Sequence, residues 1–150
     1  MTSEKQSGTT LPRIAVTMGD PAGVGPELCV RLLADAEIVR ECVPIIFGDA
    51  ALLRRVAGKI GGQFAAPIIA LHDWPAKSRD VNVPSVLDFQ NANADAVQPG
   101  KISAACGDAA FRYVVAATEA GMRGEVDTVS TGPLNKEALH AAGQIGRAHV

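Results

Sequence analysis

The chain has 150 residues, 47% hydrophobic and 20% charged, enough apolar side chain for one globular core of ordinary single-domain size. Its net charge is −2 with Lys and Arg scattered, so no basic stripe points to nucleic acid or an anionic membrane surface as partner. No apolar run is long enough to span a bilayer and the polar first ten residues hold no signal-peptide core, so a soluble, cytoplasmic protein is expected. Cys29, Cys42 and Cys106 are odd in number, widely spaced and without a CxxC pair, which indicates buried thiols on helices rather than disulfides or a zinc site.

Residues 11–18 (LPRIAVTM) are apolar and β-branched and run into Gly19-Asp20-Pro21, a strand followed by a sharp loop. Pro26 suits the first turn of a helix reaching about residue 34, with Glu27 complementing its positive end. Residues 44–47 (PIIF) give a second strand, residues 50–59 a helix carrying Leu52, Leu53 and Val56, and residues 66–71 (APIIAL) a third strand. Residues 72–99 are interrupted by Pro75, Pro84 and Pro99, with a short strand at 86–89. Residues 103–120 read as the best helix, with Phe111, Val114, Val115, Thr118 and Met122 recurring at three- and four-residue steps; a strand at 126–130 and a helix at 134–142, closed by Gly143, follow. Such alternation predicts βαβ units and a mainly parallel sheet, an α/β fold.

Two segments carry chemical information. In residues 18–27, MGDPAGVGPE, three glycines between a strand and a helix allow a ligand to approach main-chain N–H groups at a helix N-terminus, or simply build a tight turn; the pattern is neither GxGxxG nor a P-loop. In residues 129–143, VSTGPLNKEALHAAG, Thr131 or Gly132 is the expected helix cap and Pro133 sits where helices accept proline. Lys136 then falls in the first turn, where its charge opposes the helix dipole. Either a carboxylate such as Glu137 or a bound anion would offset that charge.

Residues 14–27 (IAVTMGDPAGVGPE), 100–120 (GKISAACGDAAFRYVVAATEA) and 130–143 (STGPLNKEALHAAG) together resemble the 4-hydroxythreonine-4-phosphate dehydrogenase family. The resemblance covers nearly all of residues 13–143. It implies an isocitrate/isopropylmalate dehydrogenase-like fold, a mainly parallel sheet with flanking helices, assembled as a homodimer with the cleft shared between subunits. It also implies NAD or NADP, a divalent metal (Zn, Mg, Mn or Co) that stabilises alkoxide and enolate, and a small phosphorylated hydroxy-acid substrate that is oxidised and then decarboxylated. The substrate that the resemblance implies is 4-hydroxythreonine 4-phosphate, in pyridoxal phosphate biosynthesis. Asn135 before the lysine is similar instead to the branch acting on D-threonate or D-erythronate 4-phosphate, which would give a triose phosphate.

On this resemblance Asp20, Pro21, Ala22, Gly23, Gly25, Thr131, Gly132 and Lys136 line the substrate or cofactor cleft. Lys136 would act by electrostatic contact, with no catalytic residue assigned. The family continues into a Gly-His-Thr-Glu motif and later metal-binding histidines, whereas this chain passes through Gln144 into residues 145–150, IGRAHV. That hexapeptide looks like a translated sequencing-adapter oligonucleotide. The expected layout is a disordered terminus (1–12), the N-terminal part of the dehydrogenase fold (13–144) and a non-native tail (145–150), inactive alone and with no metal ligand among its histidines. His72 beside Asp73 reads as a surface pair and His140 as structural or solvent-facing. The reading from another class is a non-catalytic α/β domain that binds a phosphorylated ligand on its glycine loop.

Overall fold

The computed structural model describes residues 10–144, so residues 1–9 of the expected disordered terminus and the whole expected tail, 145–150, lie outside the described residues. Five strands form one sheet in the order β3-β4-β2-β1-β5, and every neighbouring pair is parallel. The strands are β1 (Arg13–Thr17), β2 (Val43–Gly48), β3 (Ile68–Ala70), β4 (Ser85–Asp88) and β5 (Thr128–Thr131). The helices are α1 (Gly25–Leu33), α2 (Ala36–Glu41), α3 (Ala50–Lys59), α4 (Trp74–Lys77), α5 (Ala104–Met122) and α6 (Lys136–Ala141).

Strand β2 is central and buried along its whole length, which is why it reads as an unbroken apolar run rather than an alternation. Ile45, Ile46 and Phe47 are fully buried there, each worth about 1.5–3 kcal/mol of transfer free energy. Phe47 meets Trp74 edge-on at 5.6 Å and Phe89 at 5.8 Å, joining the core to the segments before and after β4. The connection through α1 and α2 moves from β1 to β2, and that through α5 moves from β4 past both to β5. Right-handed crossovers in opposite directions put α1 and α3 on one face and α5 on the other.

Helix α3 occupies the predicted residues, and the strands fall within two or three residues of their predicted bounds. Helix α2 was not predicted. Asp35 starts it by accepting hydrogen bonds from the N–H groups of Glu37 (2.9 Å) and Ile38 (3.1 Å). Cys29 and Cys106 are buried on α1 and α5, as expected, but Cys42 is only half-buried and follows α2 instead of lying within a helix.

The residues whose spacing marked α5 as a helix do not form its buried face. Phe111 and Val115 are each 36% exposed and Met122 83% exposed, while Cys106, Gly107, Ala109, Ala110, Tyr113, Ala117 and Ala120 form the buried face. Apart from Tyr113 the buried side chains are small, which lets the helix lie close to its neighbours. Gly107 is the extreme case: a Cβ on it would lie 2.0 Å from the carbonyl oxygen of Ala138 in α6. Helix α6 itself is shorter than predicted and begins at Lys136. Thr131 ends β5, Gly132 and Pro133 precede the helix, and the cap is Asn135, whose Oδ1 accepts from the N–H of Ala138 at 2.9 Å.

Two outcomes check this arrangement. Gly107→Ala pushes α6 off α5 and destabilises the chain by about 1–3 kcal/mol, as overpacking against backbone does, read as a lower denaturation midpoint; an unchanged midpoint would contradict the close approach. Burial pushes the Cys29 thiol up to about 12, whereas Cys42 is raised from its ordinary value by burial and then by Glu41. A thiol reagent therefore modifies Cys42 in the native protein, faster as pH rises, and reaches Cys29 and Cys106 only on unfolding. Equal native-state labelling of Cys29 would contradict the burial.

Candidate functional site

The chain leaves β1 for the α1 face and leaves β5 for α6, which packs on α5 across the sheet. Loops that diverge to opposite faces from adjacent parallel strands open a crevice beyond their carboxyl ends, the place where open α/β sheets receive ligands. Both motifs singled out in the sequence meet there, although more than a hundred residues separate them.

Backbone hydrogen bonds hold them together. The N–H of Gly132 donates to the carbonyl oxygen of Thr17 at 3.0 Å and shares its proton with the Thr17 hydroxyl at 3.0 Å. The N–H of Asp20 donates to the carbonyl oxygen of Pro133 at 3.0 Å. Such contact between main chains leaves no room for side chains. A Cβ on Gly132 would sit 2.5 Å from the Thr17 carbonyl oxygen, and one on Gly19, at φ +79°, would sit 2.4 Å from that of Pro133. Gly25 is bound by a similar limit, with the Met18 carbonyl oxygen 1.9 Å from the would-be Cβ. Gly23 alone among the predicted loop glycines is exposed and free of such contact, its nearest neighbour being the Asp20 carbonyl oxygen at 3.4 Å. Gly25 and Gly132 are thus required first by backbone proximity, whatever a ligand adds.

Asp20 is buried, and its Oδ1 accepts from the N–H of Ala22 at 2.7 Å while its carbonyl oxygen accepts from the N–H of Gly23 at 2.9 Å. Those two N–H groups of the loop are therefore already satisfied. Pro21 and Ala22 are buried beneath the loop. The start of α1 differs. Val24 occupies its cap position and offers no side-chain acceptor, so the first-turn N–H groups have no side-chain cap.

Across the crevice Thr131 and Lys136 are exposed and Gly132 half-buried. Lys136 makes no ion pair among the described residues, so the carboxylate expected as one way of offsetting its charge, Glu137 included, is not bonded to it. The crevice thus has an ammonium group on the β5 side and an uncapped helix start on the β1 side. Both attract anions.

Among the described residues, no group of three or more His, Cys, Asp or Glu side chains could hold a metal ion. His72 pairs with Asp73 at 3.4 Å on the surface, and His140 is exposed on α6. The described residues therefore do not fit a metal centre. Sequence reasoning passed over Gly107, which seats α6 and hence Lys136, and Thr17, which binds Gly132 through both its carbonyl and its hydroxyl. A small residue in the middle of a strong helix was the available signal for the first; for the second, a threonine inside a strand gave none.

A family model described as pyridoxal phosphate biosynthetic protein PdxA matches residues 40–149. A D-threonate 4-phosphate dehydrogenase from Cupriavidus necator is 38% identical, over 93% of this chain and 41% of its own length. A 4-hydroxythreonine-4-phosphate dehydrogenase from Trichlorobacter lovleyi is also 38% identical, over 95% of this chain and 42% of its own. The crystal structure of a 4-hydroxythreonine-4-phosphate dehydrogenase from Burkholderia phymatum superposes with a TM-score of 0.81 at 38% identity, covering 94% of this chain and 42% of that one. The chain spans about two fifths of the length of the relatives it matches. With the family model matched over well more than half of the chain, it belongs to the pyridoxal phosphate biosynthetic protein PdxA family.

Proposed function

We propose that this chain is part of an NAD(P)- and divalent-metal-dependent dehydrogenase that oxidises and decarboxylates 4-hydroxythreonine 4-phosphate, and that its own share of the work is to hold an anionic group of substrate or cofactor. The observation that carries the reading is the junction of the glycine-rich loop with the turn before Lys136, at the carboxyl ends of β1 and β5 in a member of this family. Asp20, Pro21, Ala22, Gly23 and Gly25 form one wall of the cleft and Thr131, Gly132 and Lys136 the other. In the same reading the complete enzyme is a cytoplasmic homodimer; among the described residues no helix is long and apolar enough to cross a membrane.

The nicotinamide, when bound, supplies the hydride acceptor for the secondary alcohol. The residues of this chain bind and orient. Lys136 contributes a fixed positive charge, and the start of α1 contributes main-chain donors to the same anion. Asp20 is buried, and its Oδ1 accepts from the N–H of Ala22, so its part in this reading is to order the loop. The described residues offer no cluster that could hold a metal ion, so in this reading the metal ligands and the proton-transferring groups are supplied elsewhere in the enzyme.

Oxidation of D-threonate 4-phosphate instead rests on the Cupriavidus necator relative, as similar to this chain as the Trichlorobacter lovleyi one. Asn135 does not favour it. Its Oδ1 accepts from the N–H of Ala138 and so caps α6; the likeness to that branch lies in the residue type before the lysine, not in a substrate contact.

Two experiments test the reading. The 150-residue chain, given NAD or NADP, a divalent metal and either phosphorylated acid, produces no reduced nicotinamide; steady turnover would show that catalytic groups lie within it. The same chain binds inorganic phosphate, and Lys136→Met weakens that binding about tenfold, the usual scale for one charge-assisted contact. Equal affinity in both proteins removes Lys136 from the site.

A further inference from the structure

Asp49 stands at the cap position of α3 but does not cap it. An aspartate there ordinarily accepts from the second or third N–H of its helix. Here the first helical N–H, that of Ala50, is taken by Asp88 Oδ1 from the end of β4 at 3.1 Å. Asp49 turns away. Its Oδ2 accepts from the Tyr113 hydroxyl on α5, and its Oδ1 accepts from the N–H of Ala92 at 3.3 Å. It is 1% exposed and Tyr113 is fully buried.

A buried carboxylate is costly, and a cap could have been made at the surface, so the diversion needs a use. Burial pushes the Asp49 carboxyl above its usual range, against the hydrogen bonds from Tyr113 and the backbone of Ala92 and Asn91. Tyr113 is pushed up as well, by burial first and the Asp49 charge second, so its hydroxyl remains a proton donor.

Ala92 belongs to the irregular strap that follows β4. The strap starts where Phe89 N–H donates to Gly48 at 2.8 Å, and Gln90 then turns through φ +53°. The Arg55 side chain donates to the Ala94 carbonyl, and Val97 is buried. The strap ends on the glycine-rich loop, where the N–H of Gly100 donates to the Ala22 carbonyl oxygen at 2.7 Å. The next group along, the N–H of Gly23, donates to the Asp20 carbonyl. The peptide plane between Ala22 and Gly23 is therefore held from both sides, one step before the uncapped start of α1.

We propose that Asp49, fixed by Tyr113, is a positioning residue for the anion site: it anchors the strap whose far end locks the glycine-rich loop through Gly100. This rests on the reading of that loop as one wall of the cleft. Neither residue touches the bound anion in this account.

The test compares the 150-residue chain with Tyr113→Phe, which loses one oxygen and keeps its ring against Phe89 at 5.3 Å, and with Asp49→Asn, which keeps one acceptor oxygen. Amide hydrogen exchange is read residue by residue, and inorganic phosphate is the probe. Tyr113→Phe is expected to speed exchange at Ala92 and Gly100 about tenfold, the scale of one lost buried hydrogen bond, while Ala15 and Ile46 in the sheet are unchanged. Phosphate binding weakens about 3- to 10-fold on the same scale, and Asp49→Asn falls between the two proteins. An equal acceleration at all four amides means a purely structural role and overturns the proposal, as does unchanged exchange at Gly100. Should Asp49→Asn not fold, Tyr113→Phe decides alone. Should the unsubstituted chain bind no phosphate, the anion-site reading fails, and the exchange at Gly100 still decides whether Asp49 positions the loop.

Discussion

The hydrogen bond from Gly132 to Thr17 is the joint on which the crevice depends. It extends the β1–β5 pairing one residue past the regular strands, at a point where both chains are turning away. Everything nearby accommodates it. Gly132 and Gly19 lack side chains because the opposing carbonyl groups occupy that space, and Asp20 ties its own loop inward so that its main chain can reach Pro133. Main-chain contacts of this kind are short and directional, so the two walls of the cleft are set relative to each other with little freedom.

The strand and helix alternation was legible because a parallel sheet writes itself as apolar runs separated by loops, and β2 is the plainest case. The glycine-rich loop and the turn before Lys136 were legible as motifs. That they touch was not, since nothing in local sequence encodes pairing across more than a hundred residues. Errors fell where the usual local rule was displaced by a nearby competitor. Thr131 or Gly132 was the expected cap of α6, but β5 runs on through Thr131 and Asn135 supplies the acceptor. Asp49 stands at the cap position of α3 yet its carboxylate binds Tyr113 and Ala92, partners remote in sequence that no local rule could supply.

The two ends of the sheet are built differently. At the amino end the Arg13 guanidinium donates to the carbonyl groups of Ser78, Val81 and Glu125, and Trp74 donates to Glu125 Oε1 at 2.8 Å, a set of bonds that closes on itself. At the carboxyl end Asp20 and Asp49 are likewise buried and bonded internally, but Lys136 is exposed and has no acidic partner among the described residues.

The inverted face of α5 bears on which changes the protein can absorb. Positions 111, 115, 118 and 122 look irreplaceable by hydrophobicity, yet they border solvent and would accept polar residues with little loss of stability. Ala109, Ala110, Ala117 and Ala120 look interchangeable, yet each is buried, where a larger side chain must displace its neighbours. Along this helix sequence drift should therefore run opposite to what residue size suggests, fast at the large side chains and slow at the small ones.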